Sequence, residues 1–149
     1  MSRINWTRFI VGGLVASIIV FVTDGMFHER VVGLDWQAVY AGLGTTPAEH
    51  SAVGVLYFAV FDLGRAFVAM FLYVMMRGRF GPGAKTAALA GVVAWLAFSL
   101  TGPAQFIPLG FFSNALWIKV GVFQLVTSII AAIVGASIYK EELSLAAAA

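Results

Sequence analysis

Residues 52–76 read AVGVLYFAVFDLGRAFVAMFLYVMM, a run in which Asp62 and Arg65 are the sole charged residues. About 20 predominantly apolar residues wound as an α-helix cross a hydrocarbon layer roughly 30 Å thick. The run therefore predicts a membrane span that carries an ion pair. Three more stretches of the same kind flank it, Phe9 to Phe27, Ala84 to Thr101 and Leu116 to Tyr139. With Ala52 to Met76 they predict an all-α membrane protein with four transmembrane helices in an antiparallel bundle, residues 1–149 forming a single domain.

Composition points the same way. The 149-residue chain is 61% hydrophobic and 11% charged, with a mean hydropathy of +0.95, whereas soluble domains carry roughly 25% charged residues. Too little polar surface remains to cover a globule of this size, which excludes a water-soluble monomer. Cysteine is absent, which excludes disulfides, thiolate metal sites and cysteine nucleophiles. The net charge of +2 suits a nucleic-acid partner only until the basic residues are sorted by segment. Arg3, Arg8, Arg77, Arg79, Lys85 and Lys140 all fall on one side of the four spans, while Arg30 faces Glu29, Asp35 and Glu49 on the other. Lys and Arg in short loops favour the cytoplasmic face. The pattern predicts cytoplasmic N- and C-termini in a prokaryotic inner membrane, with no nucleic acid bound. No small-x-small cleavage site follows Val22, and Asp24 interrupts its expected place, so the first span reads as a retained helix.

Turn and cap signals divide the spans. Thr46-Pro47-Ala48-Glu49 has the form of a capping box with proline at the first helical position, and predicts a second helix that starts there. Gly81-Pro82-Gly83 turns the chain into the third span, Gly102-Pro103 is expected to end it, and Ser113 or Asn114 to cap the fourth. In the first outer loop Asp35 is expected to cap a short interfacial helix, Trp36 to Leu43, closed by Gly44. Gln105 to Phe112 is too apolar for a solvated loop and too broken by Pro108 for a span, which suggests the outer interface or a partner surface.

Ionisable groups within spans are costly and mark functional or structural pairing. At 1.5 Å per residue from the cytoplasmic ends, Asp24 falls near ~22 Å, Asp62 near ~21 Å and Arg65 near ~16 Å. Gln124, Thr101 and Ser99 come out at roughly 20–23 Å, and Lys119 near ~30 Å on the same scale. Asp62 and Arg65, three apart, share a helix face; Asp24 can reach Arg65 or Lys119 across the bundle. Asp24, Asp62, Arg65, Gln124 and Lys119 form the expected intramembrane polar network, either a structural lock or a path for protons or ions. His28-Glu29 and Glu49-His50 each meet the outer surface and offer two imidazoles and two carboxylates, a candidate set for a divalent metal, or for haem or chlorin through the imidazoles.

Gly12, Gly13, Ala16, Gly64, Ala90, Gly91, Ala94, Ala131, Ala132, Gly135 and Ala136 give the small-x-x-x-small spacing of packed membrane helices. Phosphate-cradling loops, His-Glu-x-x-His and Gly-x-Ser-x-Gly are absent, so no enzyme is predicted.

The opening Ile4-Asn5-Trp6-Thr7-Arg8-Phe9-Ile10-Val11-Gly12-Gly13-Leu14-Val15-Ala16, the polar break at Asp24-Gly25, Gly33-x-x-Trp36 and Gly91-x-x-x-Trp95 together resemble small four-helix bacterial inner-membrane proteins of unknown function. The resemblance implies a multi-pass topology and transfers no catalytic residue. The expected role is that of a non-enzymatic accessory subunit, packed in the lipid bilayer against other membrane subunits or against copies of itself. The alternatives are transport of a proton, cation or small solute through Asp24, Asp62 and Arg65, and metal or tetrapyrrole binding at His28 and His50.

Overall fold

The computed structural model describes residues 4–46 and 51–140. These form five helices and no strand: α1 Trp6–Arg30, α2 Gly33–Leu43, α3 Ala52–Phe80, α4 Ala84–Ala104 and α5 Asn114–Ile138. All but α2 are long and apolar enough to cross a membrane, which fits a multi-pass membrane protein.

The starts of three long helices are set by single polar side chains that accept an otherwise orphaned amide proton. Asn5 Oδ1 accepts from Arg8 N at 3.0 Å, Ser51 Oγ from Gly54 N at 3.0 Å and Ser113 Oγ from Leu116 N at 3.2 Å. α3 thus begins after Ser51, in extended backbone. Of the expected capping box only Thr46 is described; Pro47, Ala48 and Glu49 lie outside the described residues. In α2 the expectation for Asp35 fails. The helix begins three residues earlier, at Gly33, and Asp35 lies within its first turn, its carboxylate engaged elsewhere. Gly44, at φ +64°, closes α2 as expected.

α4 departs most from its sequence reading. Instead of stopping at Gly102-Pro103 it runs through both to Ala104, by way of one wide π turn, Leu96–Leu100. A proline ring inside a helix collides with the carbonyl four residues back. For Pro103 that residue is Ser99, which lies within the widened turn. Thr101 Oγ1 donates to the Leu96 and Ala97 carbonyls at 2.8 and 3.2 Å, the first of which also accepts the Thr101 amide.

The long helices form a bundle in which α1 and α4 each touch both α3 and α5, and α3 meets α5 across the middle. Along α1 and α5 the contacts run in opposite sequence order: Arg8 with Ile138, Gly12 with Gly135, Asp24 with Gln124, Phe27 with Phe123. The interior is lined by small residues, with Ala16, Ala66, Ala69, Ala87, Ala90, Ala94, Ala131, Ala132 and Ala136 all buried. Such residues let backbones approach in a setting where dispersion and hydrogen bonds are the main attractive terms. The approach is closest at Gly12 and Gly135. A Cβ on Gly12 would stand 2.6 Å from the Gly135 carbonyl oxygen, and one on Gly135 would stand 2.8 Å from that of Gly12. Gly91 is equally constrained, 2.7 Å from the Ser128 carbonyl oxygen. Gly64, expected in the same role, has open space around it.

At one end of the bundle Tyr73 and Tyr139 meet edge to face, centroids 6.2 Å apart, with the Arg77 guanidinium over both rings. Arg8 donates to the Ile138 carbonyl there. At the opposite end Phe27 stacks on Phe123 at 3.9 Å, and α2 lies over α1 with Trp36 against His28 and Phe112.

Candidate functional site

Six side chains from all four long helices converge in the bundle interior. Arg65, on α3, is 1% exposed. Its Nη2 donates to Asp24 Oδ2 of α1 at 2.7 Å and to Asp62 Oδ1 of its own helix at 3.2 Å, and its Nη1 donates to Ser99 Oγ of α4 at 3.0 Å. Gln124 Nε2 of α5 donates to the same Asp24 oxygen at 2.7 Å. Thr127 Oγ1, one turn further along α5, reaches Asp24 Oδ1 at 3.5 Å. The Phe61 ring lies 5.8 Å from the guanidinium carbon.

The local sequence explains the convergence. Asp62 and Arg65 are one turn apart on one helix face, as are Gln124 and Thr127. Asp24 is flanked on its own face by Val20, which is buried, so the face that packs also carries the carboxylate. Ser99 owes its position to the π turn, which rotates the end of α4 relative to a regular helix. The two carboxylates are served unequally. Asp24 accepts from Arg65 and Gln124, with Thr127 Oγ1 also within 3.5 Å of it and 3.3 Å from the Gln124 carbonyl, whereas among the described residues the one donor to Asp62 is the Nη2 that Asp24 also uses, and at the longer distance. Arg65 Nε, also buried, has no hydrogen-bond partner among the described residues.

Of the residues expected in the network, Asp24, Asp62, Arg65 and Gln124 are brought together, and Lys119 is not. Its Nζ donates to Asp35 Oδ2 of α2 at 2.7 Å, and the two side chains are 51% and 37% exposed. Lys119 occurs near the end of α5 where α2 folds across, and depth arithmetic has no information on that neighbour. Thr101, expected at the level of Ser99, is exposed and bonds within its own helix. Depth arithmetic alone also did not single out Thr127, although its spacing from Gln124 signals a shared face.

For the candidate metal set, His28 Nδ1 donates to the Asp24 carbonyl at 2.9 Å and its ring stacks against Trp36. Glu29 is exposed, and Glu49 and His50 lie outside the described residues. Among the described residues no three His, Asp or Glu side chains come together as a metal-binding group. Two indoles act as interhelical donors: Trp95 Nε1 to the Gly121 carbonyl at 2.8 Å and Trp117 Nε1 to that of Leu100 at 3.2 Å. A cavity of about 480 Å³ opens between α2, Gly110 to Ser113 and Leu116, with Asp35 at its polar side.

Comparison of the chain with protein-family models, curated proteins and solved structures returned no match.

Proposed function

We propose that this chain is a non-enzymatic, multi-pass protein of a prokaryotic cytoplasmic membrane, its four long helices antiparallel and both termini cytoplasmic, acting as an accessory subunit of a larger membrane complex or of a homo-oligomer. One observation carries the reading: polarity is inverted relative to a soluble protein. The charged and amide side chains of Asp24, Asp62, Arg65 and Gln124 turn inward, while the first turns of α3 present apolar groups around their whole circumference. Val53, Leu56, Tyr57, Phe58 and Val60 are each at least half exposed. A helix that is apolar all round suits surroundings of lipid or other membrane helices. The arrangement of Arg8, Arg77, Arg79 and Lys85 toward one end supports the orientation.

In this reading the Arg65 cluster is a lock. It ties four helices together: α1 and α3 by buried charge, which parting them would leave without its counter-charge, and α4 and α5 by the hydrogen bonds of Ser99 and Gln124. The chain lacks cysteine, so Tyr57→Cys creates a single thiol at the most exposed point of the α3 collar. Purification in mild detergent, with oxidation of this variant, is expected to give a particle larger than one chain and a cross-link to a copy or to a co-purifying subunit. A strictly monomeric particle that forms no cross-link would overturn the proposal.

A second reading, proton transport, is favoured by the sharing of one guanidinium between two carboxylates. It requires that proton flux into liposomes containing the protein fall when Asp62 becomes Asn; unchanged flux would eliminate it.

A further inference from the structure

We infer that the cluster is a binding site for a single proton, held on Asp62 at neutral pH. The charges of the cluster and the donors around each carboxylate both favour this, whether the chain works alone or in an assembly.

Asp24, Asp62 and Arg65 are all at least nine-tenths buried. With every group ionised they sum to one negative charge. No other cation among the described residues offsets it. On α4 the sole charged residue is Lys85, in its first turn, and on α5 it is Lys119, which is paired to Asp35. On α1, Arg8 lies at the opposite end beside Ile138, and Glu29 and Arg30 are exposed. On α3, Arg77 and Arg79 belong to the last turn. His28 presents Nδ1 to a main-chain carbonyl and its ring face to Trp36, away from both carboxylates. An unbalanced charge in an apolar interior is removed by protonation wherever that is possible.

The donors decide which carboxylate takes the proton. Asp24 accepts from Arg65 and Gln124 at 2.7 Å each, with Thr127 at 3.5 Å, the environment of an anion. Asp62 has one shared contact at 3.2 Å. A neutral carboxylic acid, with no charge to solvate, is served by fewer donors than the anion. The binding step breaks no covalent bond of the protein: one proton adds to a carboxylate oxygen of Asp62, and the cluster becomes an Asp24–Arg65 ion pair beside a neutral acid.

Infrared spectroscopy of the full-length protein at neutral pH tests this. A protonated carboxyl group gives a C=O stretch that is resolved from the carboxylate band and shifts in D₂O. The wild type is expected to show such a band with the intensity of one group, and Asp62→Asn to lack it while keeping its helical circular dichroism. Asp24→Asn is also expected to lose the band, because Asp62 then becomes the counter-ion of Arg65 and gives up its proton. A wild type without the band, a band that survives in Asp62→Asn or in Asp24→Asn, or a metal cation found bound in stoichiometric amount would each overturn the assignment. The wild-type and Asp62→Asn spectra decide the matter even where Asp24→Asn does not fold.

Discussion

The Arg65–Asp24 and Lys119–Asp35 pairs both close at 2.7 Å, yet the first has side chains 1% and 8% exposed and the second 51% and 37%. The difference lies in what replaces each bond once it opens. Around Lys119 the exposed surface lets the surroundings solvate the freed charges, and the pair contributes little. Arg65 is buried together with both carboxylates, so the loss of the guanidinium leaves Asp24 and Asp62 without a counter-charge. Bond length is a poor guide to the worth of an ion pair; its surroundings decide.

The comparison can be broken most directly at Arg65. Replacement by Met is expected to cost about 3–5 kcal/mol, the usual consequence of stranding one side of a buried pair, measured as the shift in thermal or SDS-induced unfolding in detergent; a loss below a quarter of that would remove the lock from the account. Gly12→Ala comes next. Its methyl group meets a backbone carbonyl instead of a yielding side chain, and such overpacking costs roughly 1–3 kcal/mol. Lys119→Gln should cost at most about 1 kcal/mol. Raising salt to about 1 M, where the screening length falls to roughly 3 Å, should erase that difference and leave the Arg65 effect in place. If both respond alike to salt, the contrast between interior and surface is wrong. The smallest effect is expected at Gly64, where a methyl group meets open space; Gly64→Ala should match or slightly exceed the wild type, by at most about 1 kcal/mol from helix propensity.

The long helices were legible in the sequence because span length and apolarity are summed properties that no single contact decides. Depth was legible for the same reason: a constant rise places Asp24, Asp62 and Gln124 at one level, and the structure joins them. Rotation was not. Whether Ser99 or Thr101 faces inward depends on the π turn before Pro103, a change of one residue per turn that arises from the ring's collision with the backbone. Lys119 illustrates the other blind spot. Its partner Asp35 is 84 residues away, on a short helix whose placement follows from tertiary packing. Gly64 shared the composition of the packing glycines while lying on a face that packs against nothing, since small-residue spacing marks a capacity for close approach and leaves its use to the rest of the fold.

The backbone contact between Gly12 and Gly135 behaves as a fulcrum. The two backbones already touch there with no room for a Cβ on either glycine, and a motion of α1 against α5 that keeps this contact is a tilt about it. Asp24 lies twelve residues along α1, a lever arm of about 18 Å, and a tilt of about 10° would carry its carboxylate roughly 3 Å. Directed along the 2.7 Å bond to Arg65, that displacement would open the pair beyond the ~4 Å reach of a salt bridge. A tilt of one helix, pivoting where the chain has no side chains, is thus the motion that the charges at the far end of the lever are placed to resist.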